Sequence, residues 1–363
     1  MPSSTRRASA RSRITVSAAI LGAATLALAG CAGGGASGAD SGDGPKIVAT
    51  TTQVGDFTRE VLGEGAEFEQ LLQPGASAHS FDPSAAQLSA LAAADALVIN
   101  GAGLEEWLDD AIEASGFDGL LIDASEGIHL EGTHEHEGEE THAEDEHDHA
   151  EGEEHAEGEH DHAEGEHDHE HAEGNPHIWT STANAEAMVH SIAHGLAEVE
   201  GVDAEAVEAN EEAYLAKLGA LDAWITENVD PVPADQRLLV SNHDAFTYFV
   251  DEYGITFVGS IIPSFDDNAE PSAAEIDQLV ADIRETGVKA VFSESSISPK
   301  AAETIASEAG VAVYSGEDSL YADSLGVAGS DGATYLGSQV HNVRLILESW
   351  GVEASALPAA LEE

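Results

Sequence analysis

From Lys46 onward the chain alternates short apolar, β-branched runs with stretches of helical periodicity. KIVATT (46–51), FEQLL (68–72), DALVIN (95–100) and LLIDAS (120–125) predict buried parallel strands. Between them, PSAAQLSALAAA (83–94) and LEEWLDDAIEAS (104–115) predict helices, the first entered through Pro83 in its opening turn. Order resumes at NPHIWTSTANAEAMVHSIAHGLAEV (175–199), and Ala204 to Val229 predicts one long helix bounded by GVD and DPVP. A second alternating series follows in RLLVS (237–241), ITFVGSII (255–262), VKAVFSE (288–294) and VAVYSG (311–316), with a last helix over Thr334 to Trp350. Strand–helix alternation of this kind implies parallel sheets covered on both faces. The expected architecture is α/β. It has two Rossmann-like lobes, over 46–203 and 231–363, joined by a long helix at 204–230.

The periodicity fails between 131 and 174. No residue from His142 to Gly174 is both apolar and larger than alanine, and His-Asp-His recurs at 147–149, 160–162 and 167–169. With so little to bury, the segment cannot offset the entropy of ordering and is expected to be disordered. A solvated acidic linker would need no histidine, whereas imidazoles here are interleaved with carboxylates throughout. Such tracts read as metal binding. His134, His136, His142, His147, His149, His155, His160, His162, His167, His169 and His171 are therefore expected to be weak auxiliary metal ligands.

Composition and the N-terminus add an address. Arg6, Arg7, Arg11 and Arg13 precede an apolar run from Ile14 to Ala29, which is shaped like a signal peptide and too short to span a membrane. Leu28-Ala29-Gly30-Cys31 resembles a bacterial lipoprotein cleavage box, with Cys31, the single cysteine, as the lipid-attachment residue. Residues 1–30 then form the leader and 31–45 a Gly/Ser/Asp-rich tether. The expected location is the outer face of the cytoplasmic membrane. Four of the 12 basic residues leave with the leader, so 8 remain against 70 acids, which argues against nucleic acid as a partner.

His79 (PGASAHSFDPS), His177 (NPHIW), His243 (LLVSNHDAF) and Asp323 (SLYADSLG) all follow predicted strands. In open parallel sheets the ligand crevice lies outside the carboxyl ends of the strands. Two lobes facing each other there would bring together three imidazoles and a carboxylate, a closed set suited to zinc. Trp107 and Trp179 read as core, and His341 as packing or surface. His190 and His194 read as an exposed helical pair without the HExxH pattern, and His129 as a strand edge. Glu294 in SESSISPK reads as a structural hydrogen-bonding residue.

The runs IVATTTQVGDFTREVLG, HSFDPS, NPHIW, HDAFTYFVDEYG, AEPSAAEID, VKAVFSESSISPK, LYADSLG and TYLGSQVHNV together resemble the zinc/manganese solute-binding lipoproteins of bacterial ABC importers. The resemblance covers nearly the whole chain from residue 46, in order. It implies a rigid connecting helix, a metal site in the cleft between lobes, and His79, His177, His243 and Asp323 as its ligands. It also implies an ABC permease with its ATPase as partners, a lipid anchor and a monomer. Manganese-selective relatives tend to carry Glu where this chain has His243, so Zn2+ is the expected cargo and Mn2+ the alternative. An adhesin or a zinc buffer without transport is a further alternative. A zinc hydrolase is disfavoured, because four protein ligands leave no open position for water.

Overall fold

The computed structural model describes residues 44–63, 65–132 and 174–362. The leader, Cys31 and the eleven histidines from 134 to 171 lie outside the described residues. Strands β1 (Lys46–Ala49), β2 (Glu67–Gln70), β3 (Ala96–Ile99) and β4 (Leu120–Asp123) form a parallel sheet in the order β2-β1-β3-β4. Burial differs from the expectation of four buried strands. Only the central β1 and β3 are buried nearly throughout, while β2 alternates exposed Glu67 and Glu69 with half-buried Phe68 and Gln70. An edge strand with one face in water has the alternation of a half-buried strand.

Helix α1 (Thr52–Leu62) follows β1, capped by the Thr51 hydroxyl accepting from Val54 N. Thr52, Gln53, Asp56 and Thr58 are buried along with Val54, Phe57 and Val61, and Arg59 and Glu60 are its exposed residues. Helix α2 (Ala85–Leu91) opens with a capping box between Ser84 and Gln87. Pro83 therefore stands just before the cap rather than inside the first turn. Helix α3 (Leu108–Ser115) starts later than its apolar pattern, because Leu104 and Glu105 sit in the turn that leaves β3.

Helices α4 (Thr182–Ala197) and α5 (Ala204–Val229) follow, the second with the boundaries its periodicity predicts. Asp203 caps α5, and Val207, Tyr214, Leu218, Leu221, Trp224 and Ile225 form its buried stripe against α4 and α1. The second half runs β5 (Leu238–His243), α6 (Thr247–Glu252), β6 (Thr256–Ile262), α7 (Ala273–Thr286), β7 (Ala290–Phe292), α8 (Lys300–Ala309), β8 (Ala312–Tyr314) and α9 (Tyr335–Ser349). Parallel ladders join β5 to β6 and β7 to β8, and β7 lies beside β5. Val240, Val258, Ile261, Val291 and Ile305 make a small core of their own.

The larger core does not stop at the lobe boundary. It runs from the first sheet through α5 to Phe246, Phe249, Tyr335 and Val343. Helix α9 returns to pack on α5 and α1, with Tyr335 N donating to Asp56 Oδ2 and Tyr335 Oη to Trp179 O, both at 2.8 Å. No helix among the described residues is long and apolar enough to cross a membrane.

Close packing of α4 on β4 gives a test in which two effects oppose each other. Gly195 faces Ile122, and a Cβ there would lie 2.7 Å from Ile122 Cγ2. Helix propensity alone would make Gly195→Ala stabilising by about 1 kcal/mol. Ile122 is buried and β-branched and cannot retreat, so overpacking should win and the variant should lose about 1–3 kcal/mol. Urea denaturation checks the sign, and Gly195→Ala should cost less in an Ile122→Ala background, which removes the three atoms the new Cβ would meet.

Candidate metal centre

Each of the four residues singled out in the sequence reaches the centre from the carboxyl end of a strand. His79 lies in the turn between β2 and α2, and His177 just after the segment that leaves β4. His243 is the last residue of β5 itself, rather than standing beyond the strand as its sequence context suggested. Asp323 lies between β8 and α9. Their potential ligand atoms all fall within 4.8 Å of one another.

The donors have the spacing of a coordination shell. His177 Nε2 lies 3.2 Å from His79 Nε2, 3.1 Å from His243 Nε2 and 3.0 Å from Asp323 Oδ1. Asp323 Oδ2 lies 3.6 Å from His79 Nε2 and 3.3 Å from His243 Nε2. Around a tetrahedral ion with bonds of about 2.0–2.1 Å, ligand atoms stand about 3.4 Å apart. Both Asp323 oxygens are buried without a hydrogen-bond partner, so the only company they have is the imidazole nitrogens. A buried carboxylate in that position calls for a cation.

Neighbouring residues aim the ligands. His243 Nδ1 donates to Glu294 Oε2 at 2.7 Å and His243 N to Oε1 at 3.0 Å, which turns Nε2 to the centre. Glu294 is thus a hydrogen-bonding residue, as expected, and its partner is a ligand. Asn175 Oδ1 accepts from both N and Nδ1 of His177, at 3.0 and 2.6 Å, and has no counterpart in the sequence reading. The Asn175 amide in turn donates to Asp244 O and Thr247 Oγ1, across the lobe boundary. In the opposite direction, Ala322 O accepts from Gln53 Nε2 at 2.7 Å and Trp179 Nε1 at 3.2 Å. Leu325 N donates to Thr52 Oγ1. The Asp323 segment is therefore held by the first lobe.

Charge follows from this geometry. Burial would lower the His243 pKa, but the carboxylates of Asp323 and Glu294 beside it hold it well above its ordinary value. Burial would raise the Asp323 carboxyl, and His243 and His177 hold it well below the usual range. His177 is pushed down to about 4 by burial, with Asp323 opposing. At the mouth, Asp267 is raised by burial and by Asp323.

Other sequence expectations divide. Trp179 is core, as read, and its ring also packs edge-on against His177 at 5.2 Å. Trp107 is only half-buried, and its Nε1 donates to Ala78 O beside His79. His190 is exposed and pairs with Glu211 at 2.7 Å, and His194 is exposed. His341 packs on Tyr321 and reaches Ser319 O. His129 is exposed in irregular chain rather than at a strand edge, since β4 ends at Asp123. The break in periodicity begins later than expected: Glu131 N donates to Tyr248 Oη, and Asn175 N to Glu131 O at 2.7 Å. These bonds join the two ends of the segment 133–173, which lies outside the described residues.

Residues 47–349 match the family described as zinc-uptake complex component A, periplasmic. The chain is 28% identical over 319 residues to the manganese-binding lipoprotein MntA of Halalkalibacterium halodurans, covering 88% of this chain and 92% of that one. It is 30% identical over 312 residues to the zinc-binding protein AdcA of Streptococcus pyogenes serotype M3, covering 85% of this chain and 57% of that longer protein. In structure it resembles the periplasmic zinc-binding protein TroA of Treponema pallidum, with a TM-score of 0.68 at 23% identity over 85% of this chain and 99% of that one.

The raised His243 pKa fixes the sign of a pH effect. Without metal, His243 holds its proton to a higher pH than an ordinary imidazole, and a cation bound at Nε2 must displace that proton. Affinity should therefore fall as pH drops through and below that raised value. Calorimetric zinc titration at pH 7 in buffers of different ionisation enthalpy should report release of about one proton per metal. Identical heats in all buffers would contradict the charge assignment.

Proposed function

The chain belongs to the zinc-uptake complex component A family of periplasmic proteins, binding components rather than enzymes, and from that premise we propose that it captures Zn2+ outside the cytoplasmic membrane and delivers it to an ABC permease. His79, His177, His243 and Asp323 are the proposed ligands. The observation that carries the choice of metal is the donor set: three imidazole nitrogens to one carboxylate, at tetrahedral spacing. Imidazole suits zinc, whereas manganese prefers oxygen donors and binds a given site more weakly. Two of the divalent ion's charges are offset by Asp323 and by Glu294 behind His243, so a neutral assembly is buried. The four protein donors close the shell, which suits holding an ion rather than activating water on it.

Manganese is the second reading, and one feature favours it. Both Asp323 oxygens face the imidazoles, so a bidentate carboxylate would raise the donor count to five with two hard oxygens. The relatives are named as manganese-binding, iron-binding and zinc-binding proteins, so their names do not single out one metal. Export and attachment through Cys31 belong to the same proposal and are supported by relatives named as lipoproteins. Delivery to a permease with its ATPase is supported by a relative named as an ABC transporter component.

Competition titration of the mature protein separates the metals. Zinc should displace manganese, and His243→Glu, which replaces a nitrogen donor by oxygen, should narrow that preference. Equal preference in wild type would overturn the zinc reading, and an unchanged preference in the variant would remove His243 as its source. The histidines of 133–173 are proposed to gather zinc in weak sites beside the cleft, raising its effective concentration there. Deleting 133–173 while keeping Glu131, Gly132 and Gly174 should remove the weak stoichiometry and leave the tight site unchanged. Loss of tight binding in the folded deletion protein would place those histidines in the primary site.

A further inference from the structure

Three of the four proposed ligands are fixed by hydrogen bonds behind them, and the fourth is not. His177 is aimed by Asn175 and His243 by Glu294. The backbone next to Asp323 is held by Gln53, Trp179 and Thr52. Among the described residues, the polar partners of the His79 ring are His177 and Asp323, both through Nε2, and the ring lies edge-on to His243. Its position therefore depends on its backbone, which sits in irregular chain between β2 and α2. On its own lobe that chain is held by Trp107 Nε1 to Ala78 O.

Further restraints come from across the cleft: Gly75 N donates to Ser324 Oγ at 2.7 Å near the start of the turn, and a second set lies at His79 itself. His79 N donates to Ser77 Oγ at 3.3 Å, and Ser77 Oγ donates to Asp267 Oδ1 at 2.8 Å. Asp267 belongs to the connection between β6 and α7, in the opposite lobe. Asn268 Nδ2 donates to the same Asp267 oxygen at 2.6 Å and to Ser80 Oγ at 3.1 Å, gripping the other side of His79. Ser77 and Ser80 bracket the ligand, and one short acidic-amide pair engages both.

We propose that Asp267 is a positioning residue that clasps the His79 turn across the cleft through Ser77 and thereby sets how long a bound metal stays. The inference rests on the four-ligand reading of the centre. The clasp joins the lobes directly over the ligand that lacks support of its own, so breaking it frees His79 before any other donor. Dissociation then proceeds through a three-ligand state that the intact clasp keeps rare. The hydrogen bond from Ser77, not the negative charge, is the element that acts. Asp267→Asn keeps that acceptor, whereas Asp267→Ala and Ser77→Ala remove one end each.

The test is release of cobalt(II), a visible-spectrum probe for tetrahedral nitrogen–oxygen sites, from the mature full-length protein into excess chelator. Asp267→Ala and Ser77→Ala should each speed release several-fold, up to about tenfold, a change one neutral hydrogen bond can supply. Asp267→Asn should release at the wild-type rate, and the double alanine variant no faster than either single one. The cobalt absorption bands should be the same in all of them. Wild-type release rates in Asp267→Ala would overturn the clasp, as would release from Asp267→Asn as fast as from the alanine variant. Altered bands in Asp267→Ala would make Asp267 part of the coordination itself and overturn a positioning role. A wild-type protein that takes up no cobalt would overturn the four-ligand centre together with the clasp.

Discussion

A buried carboxylate answered only by imidazoles is the constraint on which the rest of this molecule turns. Asp323 is fully enclosed, and among the described residues its two oxygens face the Nε2 atoms of His79, His177 and His243. Removing a charge from water without pairing it costs many kilocalories per mole, so the site is acceptable only where positive charge answers it. In the metal-free protein the His243 proton supplies part of that charge. A divalent cation supplies more, at the point where all four donors converge. Capture of an ion and relief of a buried charge are thus the same event, and the fold arranges four strand ends so that it can occur.

That arrangement explains why the chain is less divisible than its alternating pattern suggests. The two halves have separate sheets, but the main core crosses from one to the other through α5, and α9 returns to the first half. The most heavily bonded crossing points lie next to the ligands. Asn175 belongs to the first half and spends its amide on the second; Ala322 belongs to the second and is held by Gln53 and Trp179 of the first.

Much of this was legible in the sequence, for identifiable reasons. The ends of α5 coincide with its apolar periodicity because its flanks are a capping Asp203 and a proline-bearing exit, both local signals. The four candidate ligands were legible because each follows a predicted strand and because the runs around them resemble a known family, while position after a strand alone would not have separated Asp323 from Asp244, Asp266 or Asp267. What the sequence did not show of helix α1 is that its polar residues are buried: Gln53 and Thr52 anchor the Asp323 segment, and Asp56 accepts from Tyr335 N. Sequence patterns assume that polar residues face water, and they fail where polar residues serve another segment. Asn175 and Asp267 were hidden for the related reason that each acts on a partner distant in sequence, and for Glu294 the hydrogen-bonding role was legible but its partner, His243, was not. A proline-adjacent asparagine before a candidate ligand was the one available hint, and it pointed to a turn.

The reciprocal anchoring next to the ligands has a thermodynamic corollary. Because His177 is aimed by a residue bonded to the opposite lobe, and the Asp323 segment is held from the opposite lobe, the angle between the lobes and the affinity for metal are linked variables. Linkage is symmetric: whatever factor separates the affinities of the drawn-together and parted arrangements is also the factor by which bound metal shifts the balance between them. A partner that drew the lobes apart would therefore need no contact with the ion to make it leave. By the same factor, the loaded protein would resist being parted, and that resistance would distinguish an empty protein from a full one.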